Sequence, residues 1–182
     1  MSGARQVEVL FEEKAIAERT AGLAAEIAKA EPKDLLVVAI LKGSFMFAAD
    51  LLRAMHRVGL EPHVEFFHLS SYRDGMVSSG TVKILRDIES SVKDRDVVLV
   101  DDILESGRTL AFAKDLLVAR GARRVLVCTL LEKRGKREVP IDADFVGFVC
   151  PDAFVVGYGM DVAHSYRELP FIGHVVTQAD SK

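Results

Sequence analysis

Cysteine is scarce: Cys128 and Cys150 are the only two in 182 residues, and neither belongs to a CxxC or Cys/His ligand spacing. A disulfide framework and a structural zinc site therefore lack their ligands, and the apolar runs around both residues point to buried free thiols. Long hydrophobic runs are missing as well. No stretch approaches the roughly 20 apolar residues that cross a bilayer. The opening segment MSGARQVEVLFEEK carries acids where a secretory signal needs an apolar centre. No membrane partner is expected, and the expected location is the cytoplasm. Neither charge dominates: 24 basic against 27 acidic residues, a net charge of -3, leave no general excess for nucleic acid. A small, locally charged substrate fits this balance better. His56, His63, His68, His164 and His174 show no metal-ligand spacing and read as surface or satisfied core residues. Repeats, low-complexity tracts and linker-like segments are absent too. At 49% hydrophobic the chain can bury one substantial core, which implies one domain over residues 1–182.

What is present is an alternation of helical and strand-like segments, the mark of an α/β fold. Ala15, Ile16, Leu23 and Ile27 recur at helical spacing within residues 12–30, and Pro32 ends that helix. Residues 35–41 read as a buried strand, and 45–57 as a helix. Residues 64–69 and 81–85 read as strands around a polar loop, 70–80, that contains Arg73, Asp74 and Gly75. Further strands are expected at 124–131, 145–149 and 155–158, with a terminal piece near 173–176.

The most informative segment is VVLVDDILESGRTL, residues 97–110. Its β-branched start predicts a fully buried parallel strand, with Asp101 and Asp102 emerging at the carboxyl end, the edge where open α/β sheets bind ligands. Glu105-Ser106-Gly107-Arg108-Thr109 can then turn into a helix through Leu110, Ala113, Leu116 and Leu117, its first amides facing an anion. A plainer reading has the two acids merely closing a strand and Ser106 capping the helix. A phosphate beside two carboxylates calls for a divalent cation or sugar hydroxyls between them, so the combination suggests a sugar phosphate with a hard metal.

This segment resembles the phosphoribosyl-pyrophosphate signature of type I phosphoribosyltransferases: an apolar run, two acids, two apolar residues, then acid-Ser/Thr-Gly-x-Thr. LKGSF (41–45), SSY (70–72), LLEKR (130–134) and PDAFVVGYGMD (151–161) follow the order seen in the hypoxanthine-guanine branch of that family. The resemblance implies a twisted, mainly parallel sheet flanked by helices, with a small hood built from N- and C-terminal segments. It also implies transfer of ribose 5-phosphate from phosphoribosyl pyrophosphate to N9 of a 6-oxopurine, dependence on Mg²⁺, and a homodimer or homotetramer.

Residue roles implied by the resemblance are these. Glu105 to Thr109, with the Ser106 and Thr109 hydroxyls, hold the 5'-phosphate, while Asp101 and Asp102 face the ribose hydroxyls and the metal-bound substrate. Lys42 and Gly43 form the pyrophosphate loop, where the family often has a cis peptide bond before the glycine. Ser71 and Tyr72 belong to a loop that closes over the site. Lys133 donates to the purine 6-oxo group; an ammonium has three donors and no acceptor, so it disfavours a 6-amino group. Phe154 stacks on the base, the Val155 backbone meets its edge, Asp161 lies near a second metal, and Arg167 binds pyrophosphate. Glu105 is a departure, since the family usually has Asp there as the proton acceptor near purine N7, and the extra methylene changes its reach. That departure motivates an alternative, a nucleotide-binding regulator with little turnover. A third reading is a phosphoribosyl enzyme for another base.

Overall fold

The structure, a computed structural model, describes residues 6–71 and 82–176. In chain order the elements are β1 (Gln6–Phe11), α1 (Glu13–Lys29), β2 (Leu36–Leu41), α2 (Phe45–Arg57), β3 (His63–Ser71) and β4 (Val82–Arg86). They continue as β5 (Asp96–Leu104), α3 (Arg108–Ala119), β6 (Arg124–Glu132), β7 (Phe145–Val149), β8 (Val155–Val156) and β9 (Ile172–Val176).

Two sheets result. The larger has the order β4-β3-β2-β5-β6-β7, parallel throughout except for β4, which returns antiparallel beside β3. Its central strands are apolar on both sides because both sides are covered. Val37, Ala39, Val98, Val100, Cys128 and Leu130 pack in one cluster with Leu23 and Ile27 of α1 and Phe47 and Leu51 of α2. The intervening Leu36, Val38, Ile40, Val97, Leu99, Val125 and Val127 pack with Leu110, Ala113 and Leu117 of α3. The two-residue period of a strand thus assigns alternate side chains to different helices. Full burial of each large one contributes about 1.5–3 kcal/mol.

This order sets where a ligand can enter. From β2 the chain moves through α2 to β3 on one side, whereas from β5 it moves through α3 to β6 on the other. The connections diverge beyond the carboxyl ends of β2 and β5, which are hydrogen-bonded neighbours. Such a switch point opens a crevice, and the segments after both strands border it.

The smaller sheet, β1-β9-β8, is antiparallel and joins the two ends of the described chain, with Gln6 opposite Val176. It is the hood expected from the resemblance.

Boundaries differ from the expectations at several strands. β3, expected over 64–69, runs from His63 to Ser71 and takes in the first two residues of the expected loop, the rest of which lies outside the described residues. β5 runs through the acidic pair to Leu104 because β6 supplies partners as far as Glu132, so Asp101 and Asp102 lie within the strand rather than after it. The strand expected over 155–158 stops at Val156, since Gly157 (φ 94°) and Tyr158 (φ 48°) enter the left-handed region. β1 has no counterpart among the expected strands. Among the described residues no helix is long and apolar enough to cross a membrane.

Candidate active site

Beyond the switch point lies a cleft of about 660 Å³, lined by Lys42, Gly43, Asp102, Glu105, Ser106, Lys133, Phe154, Val155, Asp161 and Arg167 among others. A smaller recess of about 250 Å³ adjoins it, lined by Asp101, Gly107 and Thr109 and sharing Asp102, Glu105 and Ser106. Thirteen of the residues singled out in the sequence therefore border one continuous depression. Arg108 borders neither part; its guanidinium is paired with Glu138. Ser71 ends β3, and Tyr72 lies outside the described residues.

The bend after β5 owes its shape to glycine and to the segment facing it. The Ser106 carbonyl accepts the N–H groups of Glu138 (2.9 Å) and Val139 (3.0 Å). Gly107 has φ 85°, and a Cβ there would stand 2.7 Å from the Val139 carbonyl oxygen. Only glycine meets both demands. As the residue that caps α3, Gly107 brings no side-chain acceptor. The helix therefore presents its first amides to the recess with only a long contact, Arg108 N–H to Ser106 Oγ at 3.4 Å, as local cover. Unpaired amides at a helix start favour an anion.

Asp101 and Asp102 are adjacent on β5, so alternation sends the first toward the α3 side and the second toward the α1/α2 side. The Asp102 N–H donates to Asp101 Oδ1 at 3.0 Å. Burial raises the Asp101 carboxyl well above the ordinary range, and the neighbouring Asp102 charge adds to the effect. Burial raises Asp102 too, with the Arg167 charge acting in the opposite direction. Such a pair gains from any cation that joins it.

Gly43 is wedged beside this pair. A Cβ at position 43 would collide with the Asp102 carboxylate, and one at Gly159 (φ 99°) would collide with the Gly43 carbonyl oxygen. The loop after β2 is thereby held between β5 and the turn at 157–161. The cis bond is Leu41–Lys42, one peptide earlier than the bond before Gly43 that the resemblance suggested. On the far side, Arg167 pairs with Asp161 (2.7 Å) and donates to the Gly159 carbonyl (2.5 Å), and Asp161 Oδ2 accepts the His164 N–H at 2.7 Å.

At the other end of the cleft, the buried Lys133 ammonium stands 3.2 Å from Glu105 Oε1. The Lys133 N–H is bonded to the Leu104 carbonyl (2.9 Å), which brings the residue after β6 against the residue after β5. Phe154 projects here with 61% of its surface exposed, an open aromatic face. Val155 is buried in β8 opposite His174. Together a carboxylate, an ammonium and a flat ring face one space, next to a helix start suited to phosphate.

Sequence reasoning passed over Lys136, Asp152 and His68, which also line the cleft. Lys136 sits in a dense basic stretch that reads as solvated turn. His68 lies opposite Leu41 in the β2–β3 register, a proximity that only strand pairing reveals.

A phosphoribosyl transferase domain is matched over residues 6–163. The hypoxanthine phosphoribosyltransferase of Escherichia coli (strain K12) is 43% identical over 173 residues, covering 93% of this chain and 96% of the relative. A solved hypoxanthine phosphoribosyltransferase from Staphylococcus aureus superposes with a TM-score of 0.88 at 39% identity, covering 96% of this chain and 94% of the other. The hypoxanthine phosphoribosyl transferase of Trypanosoma cruzi, solved to examine the role of its C-terminal region in oligomeric state and enzymatic activity, gives 0.90 at 34% identity, covering 100% of this chain and 97% of that one.

Proposed function

The chain belongs to the phosphoribosyl transferase domain family, and we infer that it is a hypoxanthine phosphoribosyltransferase acting in purine salvage. It transfers ribose 5-phosphate from phosphoribosyl pyrophosphate to N9 of a 6-oxopurine, giving the nucleoside 5'-monophosphate and pyrophosphate. The observation that carries the reading is the Lys133–Glu105 pair, 3.2 Å apart, in the cleft that Phe154 and the Ser106 bend also line.

Purine O6 and N7 are neighbours on one edge, one an acceptor and the other a site that must lose a proton if it carries one. An ammonium donor beside a carboxylate acceptor complements that edge. In this proposal Lys133 donates to O6, Glu105 accepts from N7, Phe154 stacks on the ring, and the Val155 backbone meets the opposite edge. The amides of residues 106–109, with the Ser106 and Thr109 hydroxyls, hold the 5'-phosphate. Arg108, paired with Glu138, contributes its backbone there rather than its side chain.

Positive charge develops at the sugar and negative charge on the leaving group, so prearranged charges do more for the rate than a covalent nucleophile would. Asp102, with Asp101 behind it, faces the ribose side of the cleft. Lys42, the Gly43 amide and Arg167 face the departing pyrophosphate, and Asp161 orients Arg167. Ser71 and Tyr72 are proposed to close the site against water.

Mg²⁺ is the proposed metal, with Asp101, Asp102 and Asp161 as its carboxylates. Among the described residues no three His, Cys, Asp or Glu side chains converge as a cage. That donor set suits Mg²⁺, which is commonly held through one or two carboxylates plus substrate oxygens and waters. When bound it supplies charge neutralisation for pyrophosphate. The proposed setting is the cytoplasm, and the proposed assembly is a homodimer or homotetramer.

Turnover of hypoxanthine, guanine, xanthine and adenine with phosphoribosyl pyrophosphate and Mg²⁺ tests the reading. Nucleotide from 6-oxopurines but not from adenine, abolished by a chelator, is expected. Tight binding without product would instead identify a regulator.

A further inference from the structure

Phe154 is held through its backbone while its side chain stands open. The residue is 61% exposed, a tight turn precedes it (Ala153 N–H to Pro151 carbonyl, 2.8 Å), its own carbonyl accepts the Val175 N–H (3.3 Å), and the two-residue strand β8 follows. Across the cleft, the basic stretch at 133–137 sends its cations in different directions. Arg134 and Arg137 both pair with Glu132 (3.2 and 3.1 Å), and Lys133 points inward to Glu105. Lys136 spans the opening. Its Nζ stands 2.7 Å from Asp152 Oδ1, two residues before Phe154, and 3.9 Å from Glu105 Oε1, the same oxygen that Lys133 approaches. The hydrogen bond from Lys136 holds the Asp152 carboxyl below the ordinary range.

We propose that Lys136 is a positioning residue of the base pocket. By tying Asp152 to the Glu105 corner it sets the gap between the Phe154 ring and the Glu105–Lys133 pair, the slot into which a flat heterocycle slides. This rests on the functional reading above and adds to it a residue that acts through Asp152 and Glu105 rather than on the substrate. The tie acts on the base end of the cleft, because neither the Lys136 nor the Asp152 side chain is among the groups assigned to phosphoribosyl pyrophosphate.

Steady-state kinetics of the full-length protein with Lys136→Met, Lys136→Arg, Asp152→Asn and the Lys136→Met/Asp152→Asn double variant test the proposal. Lys136→Met is expected to raise KM for hypoxanthine about three- to fivefold, the scale of an exposed ion pair. KM for phosphoribosyl pyrophosphate and the melting temperature should stay near wild type. Arginine should restore most of the loss, and the double variant should be no worse than either single one, because both remove the same tie. An unchanged hypoxanthine KM in Lys136→Met, equal rises in both KM values, or failure of arginine to rescue overturns the proposal while leaving the activity assigned. A wild-type protein that makes no nucleotide from any 6-oxopurine overturns the functional reading, and this proposal falls with it.

Discussion

Tyr158 donates its hydroxyl proton to Asp50 Oδ2 across 2.5 Å, fastening the turn at 157–161 to helix α2 although the two residues are 108 positions apart. That turn abuts Gly43 through Gly159 and carries Asp161, so one phenol braces this end of the cleft from behind.

Tyr158→Phe keeps the ring and removes the hydroxyl that bonds Asp50, at an expected cost of about 0.5–1.5 kcal/mol in unfolding free energy. Burial pushes the Tyr158 phenol well above its ordinary value, and the adjacent Asp50 adds to the rise. A folded value above the unfolded one means the contribution is complete below the unfolded pKa, near 10, and fades as pH climbs past it. Urea titrations at pH 8 and above pH 10 should show the difference between wild type and variant shrinking at the higher pH.

Glu105→Gln retains shape and hydrogen bonding but cannot take up a proton. Loss of a general base typically costs 10²–10⁴ in rate. The expected result is a fall in kcat at the lower end of that range or beyond, with KM for phosphoribosyl pyrophosphate changed by less than about threefold. Near-wild-type turnover would remove Glu105 from the proton-transfer role.

Lys133→Ala deletes the donor facing the 6-position. A hydrogen bond to a charged group contributes about 1.5–3 kcal/mol, so the preference for hypoxanthine over adenine in kcat/KM should fall roughly ten- to hundredfold. Competition between the two bases in one reaction, read by nucleotide chromatography, measures that ratio directly. An unaltered ratio would mean that base choice is made elsewhere.

Asp96, buried at the opposite end of β5, accepts the Lys33 N–H at 2.8 Å and pairs with Arg123 and with Arg124 (2.9 Å). Burial alone would raise its carboxyl, but the Lys33 amide and the two guanidinium groups outweigh it and hold it below the ordinary range. The linked stability is therefore present above about pH 3.9, the unfolded value, and is lost as pH falls through the folded one. Asp96→Asn should cost about 1.5–3 kcal/mol near pH 7. The deficit should narrow in acid, as thermal denaturation between pH 3 and 7 would reveal.

Much of this architecture is legible in the residues themselves. The central strands announce themselves because a strand covered on both faces must be apolar at every position, as LVVAIL in β2 is. The acidic pair stands out because carboxylates so close to such a run are costly to bury without a purpose. What stays hidden depends on partners distant in sequence. How far β5 extends is decided by the length of β6, not by its own composition. The end of β8 follows from the sign of φ at Gly157 and Tyr158, on which hydrophobic alternation is silent. β1 carries no signal of its own, since its exposed and half-buried positions acquire meaning only beside β9. Within the cleft, Lys133 could be picked out by likeness to a known motif, whereas Lys136, three positions on, belongs to no motif and is revealed by where its ammonium lies.

The pairing of β1 with β9 also orders events in time. Every described strand of the large sheet has left the ribosome once Val149 has emerged, so the sheet with its carboxyl edge can assemble while the chain is still growing. Of the described elements β1 is synthesised first, yet its neighbour among them, β9, comes last, so the pair must close a loop spanning nearly the whole described chain. The nascent protein thus completes its large sheet before the small sheet that joins its two described ends can form.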